Sequence, residues 1–392
     1  MIEGVYLDGI ASGIKSNGKK DLGYIFVPDA CASACVLTQN ACRAAPVLIT
    51  EKYKKLGRFK AVFFNSGNAN MLTGSTGFET AQKMQQVAAE SLGLSLEAVA
   101  IASTGKIGEL LDLDTVNAGA FRLFQSLETQ DFEACMTAML TTDLLNKSTY
   151  QSATINGQKI EVAGMAKGSG MIEPNMATML AFLVTNVAIE PEMLQQIFSQ
   201  AVSDTFNMIS VDSDTSTNDT ALIISRPART INWDDADQFK RYYNVVYQAC
   251  RDLAIQIVRD GEGMTKLMHV TVRQAPNAAL GQQIVKSIIN SPLVKTALHG
   301  GDPNWGRIIA AAGKAPGASA GVRVDCIELR IANTLVFQSG EPIAINTPVL
   351  RKELQESDTV AIDLALGCGT VDVEGWGTDL SKTYIDINVA YT

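Results

Sequence analysis

From the N-terminus to about residue 75 the chain sets short apolar runs, GVYLDGI, LGYIFV, ASACVLT and AVFFNSGNAN, between Gly, Asn and Asp. This spacing predicts strands of roughly five residues. Helical periodicity follows in ETAQKMQQVAAESLG (79–93), in 112–127 and in 131–140, with a strand, AVAIAS (98–103), between the first two. In TYQSATINGQKIEVAGMAKG, Asn156-Gly157 separates two alternating segments, which predicts a two-residue hairpin leading into Lys167. The run MATMLAFLVTN (176–186) is apolar on both alternations and suits a strand buried between layers. Amphipathic helices are expected over 191–206 and 235–260, and strands over 220–225 and 266–273. Further helices are expected at 277–290, 305–313 and 347–355, and strands within 321–338 and 358–366. The segment YIDINVA (384–390) alternates as a strand does. Grouped strands with helices outside them predict an α+β fold in layers rather than a repeating βαβ wheel.

Composition narrows the chemistry. The chain has 392 residues, 46% hydrophobic and 19% charged, enough for two or more packed units at roughly 100–200 residues each. A formal charge of −9 disfavours nucleic acid as a partner, and the basic run EKYKKLGRFK (51–60) reads as a solvated surface. The seven cysteines are odd in number and scattered, which fits neither a disulfide framework nor a zinc ribbon. Cys31, Cys35 and Cys42, among small apolar neighbours, read as buried thiols. Glu3 and Asp8 sit where a secretory signal would be basic and then apolar, and Met176–Ile189 is too short and too polar for a membrane span. A soluble, cytoplasmic protein is expected. With only two histidines, His269 and His299, a Ser-His-Asp arrangement or a His-rich metal site is a poor fit, so catalysis needs another base.

Six segments place Gly, Asn, Thr and Asp densely at the ends of apolar runs: NSGNAN (65–70), STGKIGE (103–109), KGSGMIEPNMATML (167–180), SVDSDTSTNDT (210–220), DGEGMTK (260–266) and GGDPNWGR (300–307). The STGKIG turn lies between a strand and a helical pattern, so its backbone N–H groups suit a phosphate or an oxyanion; an ordinary turn is the alternative, and the dinucleotide spacing is absent. SVDSDTSTNDT has Asp212, Asp214, Ser216 and Asn218 at the alternate positions of a calcium loop but lacks its Gly and its closing Glu, so no metal is assigned. Ala177-Thr178 offers an answer to the missing base. A Thr hydroxyl needs a base beside it, and cutting this bond would free an α-amino group of pKa about 7.7–8.0 on the same residue. The cut can use the same atoms: Oγ attack on the Ala177 carbonyl, an N-to-O acyl shift, and hydrolysis of the ester. A Thr that merely opens a buried strand is the plain alternative.

The ordered series AAPV (44–47), NSGNAN, STGKIGE, TTD (141–143), KGSGMIEPNMATML, SVDSDTSTNDT, DGEGMTK, GGDPNWGRI and YIDINVAYT resembles, essentially end to end, the glutamate N-acetyltransferase/ornithine acetyltransferase family of arginine biosynthesis. The resemblance implies a self-cleaving precursor in a layered α/β/β/α sandwich, giving an α chain of 1–177 and a β chain of 178–392 that intertwine and assemble as α2β2. Thr178 matches the nucleophile, and Thr104 and Gly105 match the oxyanion-hole pair. Thr141, Lys167, Glu262 and Asn388 match substrate-binding positions, with Thr392 four residues after Asn388 where the family commonly has five. The implied reaction is ping-pong: N2-acetyl-L-ornithine acetylates Thr178, ornithine leaves, and L-glutamate takes the acetyl group. No metal or organic cofactor is implied; bifunctional members also use acetyl-CoA as co-substrate. Lys106, Ser213, Met264 and Gly301 depart from the usual pattern. An amidohydrolase or aminopeptidase with the same nucleophile, and an uncut ligand-binding relative, are the competing readings.

Overall fold

In a computed structural model the described residues are 2–173 and 179–390, so Ala177, Thr178 and Thr392 lie outside them. The chain divides into two compact units, Met1–Asn207 with Asp214–Ile257, and Met208–Ser213 with Val258–Thr392.

The first unit holds strands β1 (Tyr6–Ile10), β2 (Leu22–Phe26), β3 (Ala32–Leu37), β4 (Ala61–Asn68), β5 (Val99–Lys106), β6 (Lys147–Ile155), β7 (Gln158–Lys167) and β8 (Leu180–Val187). Its helices are α1 (Ala45–Lys54), α2 (Gly74–Leu92), α3 (Leu113–Leu123), α4 (Phe132–Met139), α5 (Pro191–Asp204) and α6 (Ala236–Arg259). The two-residue β9 (Ile209–Ser210) belongs to the second unit, and β10 (Thr220–Arg229) returns to the first. Two sheets form, ordered β1-β2-β4-β5 and β3-β10-β8-β7-β6. Leu7, Ile25 and Phe64 of one sheet share a core with Met165, Phe182 and Leu222 of the other. The opposite face of the first sheet, with Tyr24, Phe63 and Ile101, packs on Met84 of α2 and on Val116 and Ala120 of α3. On the second sheet α5 lies along β3, and the buried Tyr242 of α6 donates its hydroxyl to Thr185 on β8 (3.4 Å). The first unit is therefore helix, sheet, sheet, helix in layers, an α+β architecture as expected.

Local chemistry explains these elements. Asn156 (φ 48°) and Gly157 (φ 72°) both take positive φ, which a type I′ turn requires, and Ile155 pairs with Gln158 across it. All eight residues of β8 are buried, between β10 and β7, as a strand apolar on both alternations demands.

The second unit is a sheet ordered β14-β13-β12-β15-β11-β16-β9, made of β11 (Leu267–Ala275), β12 (Glu328–Ile331), β13 (Thr334–Gln338), β14 (Glu341–Pro342), β15 (Thr359–Ala365), β16 (Val371–Thr378) and β9. Val270, Val272, Ile284, Ile288, Leu329 and Ile362 lie in its core. Its helices are α7 (Ala278–Ile289), α8 (Pro292–His299), α9 (Trp305–Gly313), α10 (Thr347–Glu356) and α11 (Lys382–Ala390).

Three expectations are corrected. The segment YIDINVA forms helix α11, not a strand: none of its side chains is buried, so the alternation has no layer to serve, and the Ser381 hydroxyl accepts from the Tyr384 N–H (3.2 Å) as a helix cap does. Residues 321–327 contain no strand; they run through a short helical turn before β12. Of the clustered cysteines only Cys35, inside β3, is buried, and burial pushes its thiol up to about 12; Cys31 and Cys42 stand in the loops before β3 and α1 and are exposed. No helix among the described residues is long and apolar enough to cross a membrane.

Candidate active site

The hairpin delivers Lys167 to the end of β7, directly opposite Leu180 at the start of β8. Lys167 is buried, and its Nζ donates to the Thr104 Oγ1 (3.2 Å). An ammonium can only donate, so the Thr104 oxygen is the acceptor and its own proton faces elsewhere. Among the described residues none accepts that proton. Gly105, next along β5, has φ 133°, and a Cβ there would collide with the backbone of Gly67 and Asn68 on β4. Only glycine lets the two parallel strand ends close to this separation.

The NSGNAN segment builds the wall of this corner. Asn65 donates to the Asn68 carbonyl (2.9 Å) and accepts from the Ser103 hydroxyl (2.6 Å), while the Ser66 hydroxyl donates to the Ala138 carbonyl (2.5 Å). These polar groups are buried and matched, which fixes their geometry.

Asp143 lies in the electrostatic reach of Lys167. Its Oδ1 accepts from the Lys147 ammonium (2.7 Å) and the Gly168 N–H (2.6 Å), and its Oδ2 from the Thr141 N–H (3.0 Å). Burial alone would raise the Asp143 carboxyl; the charges of Lys167 and Lys147 with these hydrogen bonds outweigh it and hold the group well below the usual carboxylate range. One carboxylate thus ties the loop carrying Thr141 to the turn after Lys167. Lys15 lies in the same electrostatic neighbourhood. Its Nζ donates to the carbonyls of Lys20 (2.8 Å) and Leu140 (2.7 Å), and burial, opposed by Asp21 and reinforced by Lys167, lowers it to about 8.

The second unit holds the remaining described candidates. Asn388 on α11 donates to the Glu262 Oε2 (3.0 Å). The DGEG turn can approach α11 because Gly263 (φ 68°) has no Cβ to strike the Tyr384 backbone, and the Ser381 hydroxyl donates to the Gly263 carbonyl (2.5 Å). Behind the turn, Asp379 accepts from the N–H groups of Thr265 (2.8 Å) and Lys266 (2.9 Å) and from the Thr265 hydroxyl (2.6 Å), and it pairs with the His299 Nδ1 (2.7 Å). Buried Lys295 donates to the Thr378 carbonyl (2.6 Å), and burial lowers it to about 8 against the opposing pull of Asp212 and Asp379.

Thr104, Gly105, Thr141 and Lys167 are therefore gathered in the first unit, and Glu262 and Asn388 in the second. Residues 6–392 match the model of the ArgJ family. The chain belongs to the ArgJ family. It is 40% identical over 387 residues to an arginine biosynthesis bifunctional protein ArgJ of Bacillus cereus, covering 98% of this chain and 94% of that protein. It is also 40% identical over 396 residues to the protein of that name from Gloeobacter violaceus, covering 100% of this chain and 96% of the relative. A crystal structure of the Bacillus halodurans protein of the same name aligns with 37% identity and a TM-score of 0.51, over 55% of this chain and 100% of that one.

Ser213, one of the four positions that the sequence resemblance sets apart, has φ 69°, a left-handed conformation in which glycine carries no steric penalty. The Lys106 side chain is exposed, 3.7 Å from Glu109, so its charge is largely met by solvent. The sequence reading missed Asp143, Lys147 and Lys15. In TTD it is the acid whose side chain is fully buried, and the lysine that neutralises it follows four positions later.

Proposed function

We propose that this ArgJ-family chain is an acetyltransferase of arginine biosynthesis that moves the acetyl group of N2-acetyl-L-ornithine to L-glutamate through Thr178. The observation that carries the reading is the buried Lys167–Thr104 bond at the head of β8, two residues along the chain from Thr178. It polarises the Thr104 hydroxyl and leaves its proton to be given to a developing oxyanion, a type of contact worth about 2.7–4 kcal/mol in the transition state.

The chain is first cut by Thr178 Oγ attack on the Ala177 carbonyl carbon. The Ala177–Thr178 amide becomes an ester as its nitrogen is released as the free amine of Thr178, and water then hydrolyses the ester to a carboxyl on Ala177 and the Thr178 hydroxyl. That amine then takes the hydroxyl proton as Oγ attacks the acetyl carbonyl. The tetrahedral oxyanion is met by Thr104 and Gly105, the proton passes to the departing α-nitrogen of ornithine, and an acetyl ester remains on Thr178. The amine of glutamate attacks that ester and restores the enzyme. Every step uses groups of the chain, its substrates or water, so the proposal includes no metal or organic cofactor. Thr141, Lys167, Glu262, Asn388 and Thr392 are the proposed substrate contacts, with Glu262 suited to an ammonium.

The aligned Bacillus halodurans chain spans 55% of this one, and the 215 residues from Thr178 onward are also 55% of the sequence, a length consistent with a separate chain starting at the nucleophile. An α2β2 assembly in the cytoplasm completes the proposal.

Denaturing mass analysis with an acetyl-transfer assay tests it. The wild-type chain is expected as two fragments meeting at Ala177/Thr178, with acetylglutamate formed from acetylornithine, and Thr178→Ala as one inactive chain. An intact, active wild-type chain, or acetyl release to water without transfer to glutamate, would overturn the reading. A parallel arm with acetyl-CoA as donor reads the second activity.

A further inference from the structure

The loop that closes SVDSDTSTNDT connects the two halves of the site in the first unit. Asn218 is buried, and its side-chain amide donates to the carbonyls of Ala69 (2.7 Å) and Ser103 (3.0 Å). Ser103 directly precedes Thr104, and Ala69 follows the end of β4, so one side chain pins both strand ends that frame Thr104 and Gly105. The next residue turns the other way. Asp219 is fully buried, and its Oδ1 accepts from the Met179 N–H (2.9 Å). That N–H belongs to the peptide joining Thr178 to Met179. The Met179 carbonyl in turn accepts from the Thr220 N–H (3.2 Å), and the Asp219 carbonyl accepts from the Thr38 N–H (3.1 Å). Two consecutive side chains therefore grip the oxyanion strand and the first amide after the nucleophile.

Resting on the proposed role of Thr178, we infer that Asn218 and Asp219 are a positioning pair that sets the spacing between the nucleophile and its oxyanion donors. The surroundings of Asp219 agree with an anchor, because its Oδ1 is engaged by the Met179 N–H. No described cation lies within ion-pair distance of it, and among the described residues its Oδ2 receives no hydrogen bond. The neighbouring Thr38 hydroxyl gives its proton to the Ser216 carbonyl (2.6 Å). Burial raises the Asp219 carboxyl well above the usual range; the Met179 N–H and the more distant charge of Lys167 pull the other way and do not offset it. Burial therefore favours the neutral form of the Asp219 carboxyl, and one of its oxygens holds the Met179 amide. An asparagine has the same shape, keeps the acceptor and carries no charge.

The test compares full-length Asp219→Asn, Asp219→Ala, Asn218→Ala and Thr178→Ala chains by cleavage, by kcat and KM for acetyl transfer, and by hydrogen exchange of the Met179 amide. Asp219→Asn is expected to cut, to retain kcat within about threefold, and to keep Met179 protected. Asp219→Ala is expected to lose that protection and to cut and turn over about 100-fold more slowly with little change in KM, the scale of a misplacement near 1 Å. Asn218→Ala is expected to lower kcat in the same way while Met179 stays protected. The inference is overturned if Asp219→Ala keeps Met179 protection and wild-type cutting, or if Asp219→Asn is as impaired as Asp219→Ala. If Thr178→Ala were still cut and active, the nucleophile assignment would fall, whereas the exchange result bears on the anchor independently.

Discussion

Lys295 and Lys15 each give their protons to uncharged oxygens, and each is lowered to about 8. In the unfolded chain a lysine titrates near 10.4. Between about pH 8 and 10.4 the unfolded state therefore binds more protons than the native state, and stability contributed by these groups rises with pH across that window. Lys295→Met removes one of the two terms. Thermal unfolding from pH 7 to 10.5 is expected to show the difference between wild type and Lys295→Met shifting in favour of wild type as pH increases; parallel curves would contradict the burial argument. Residue chemistry of this kind was only partly legible in the sequence. The acceptor of Lys167 and the backbone donor to Asp143 lie 63 and 25 residues away in the chain, and no local spacing announces a pairing of that separation.

Local signals decided the elements that local chemistry controls. Asn156-Gly157 fixes the backbone of its turn by itself, and the doubly apolar β8 states its own burial, so both were legible. Helix α1 was not, although Pro46 in its first turn is a start signal, because the basic residues after Ile49 read as a solvated stretch. Helix α11 shows the opposite error, in which period-two alternation outweighed the single serine that caps it. That cap yields a prediction, since Ser381 accepts from Tyr384 and donates to the Gly263 carbonyl beside Glu262. Ser381→Ala is expected to weaken the start of α11 by about 1 kcal/mol. Steady-state kinetics should then show a several-fold rise in KM for acetylornithine with kcat little altered. An unchanged KM would separate Glu262 and Asn388 from substrate binding.

At the scale of the molecule, the sequence marked most of the strands but not their partners, and β16, which pairs with β11, was not among the strands read from it. Which strands pair depends on contacts remote in the chain, and the short excursion of residues 208–213 into the second unit, adding β9 beside β16, has no local mark at all. The five-stranded sheet of the first unit draws β3, β7 and β6 from before Ala177 and β8 and β10 from after it, with β8 between β10 and β7. Cutting the chain at Ala177/Thr178 would change the molecularity of folding. An intact precursor assembles this sheet within one chain; once cut, the same sheet requires two chains to meet, and the connecting segment no longer supplies a high effective concentration. The processed enzyme would then keep a structure that it reaches readily only as a precursor. Activity recovered after dilution of the cut protein from denaturant is expected to fall as protein concentration falls, whereas the far-ultraviolet spectrum of uncut Thr178→Ala should return to the same extent at every concentration.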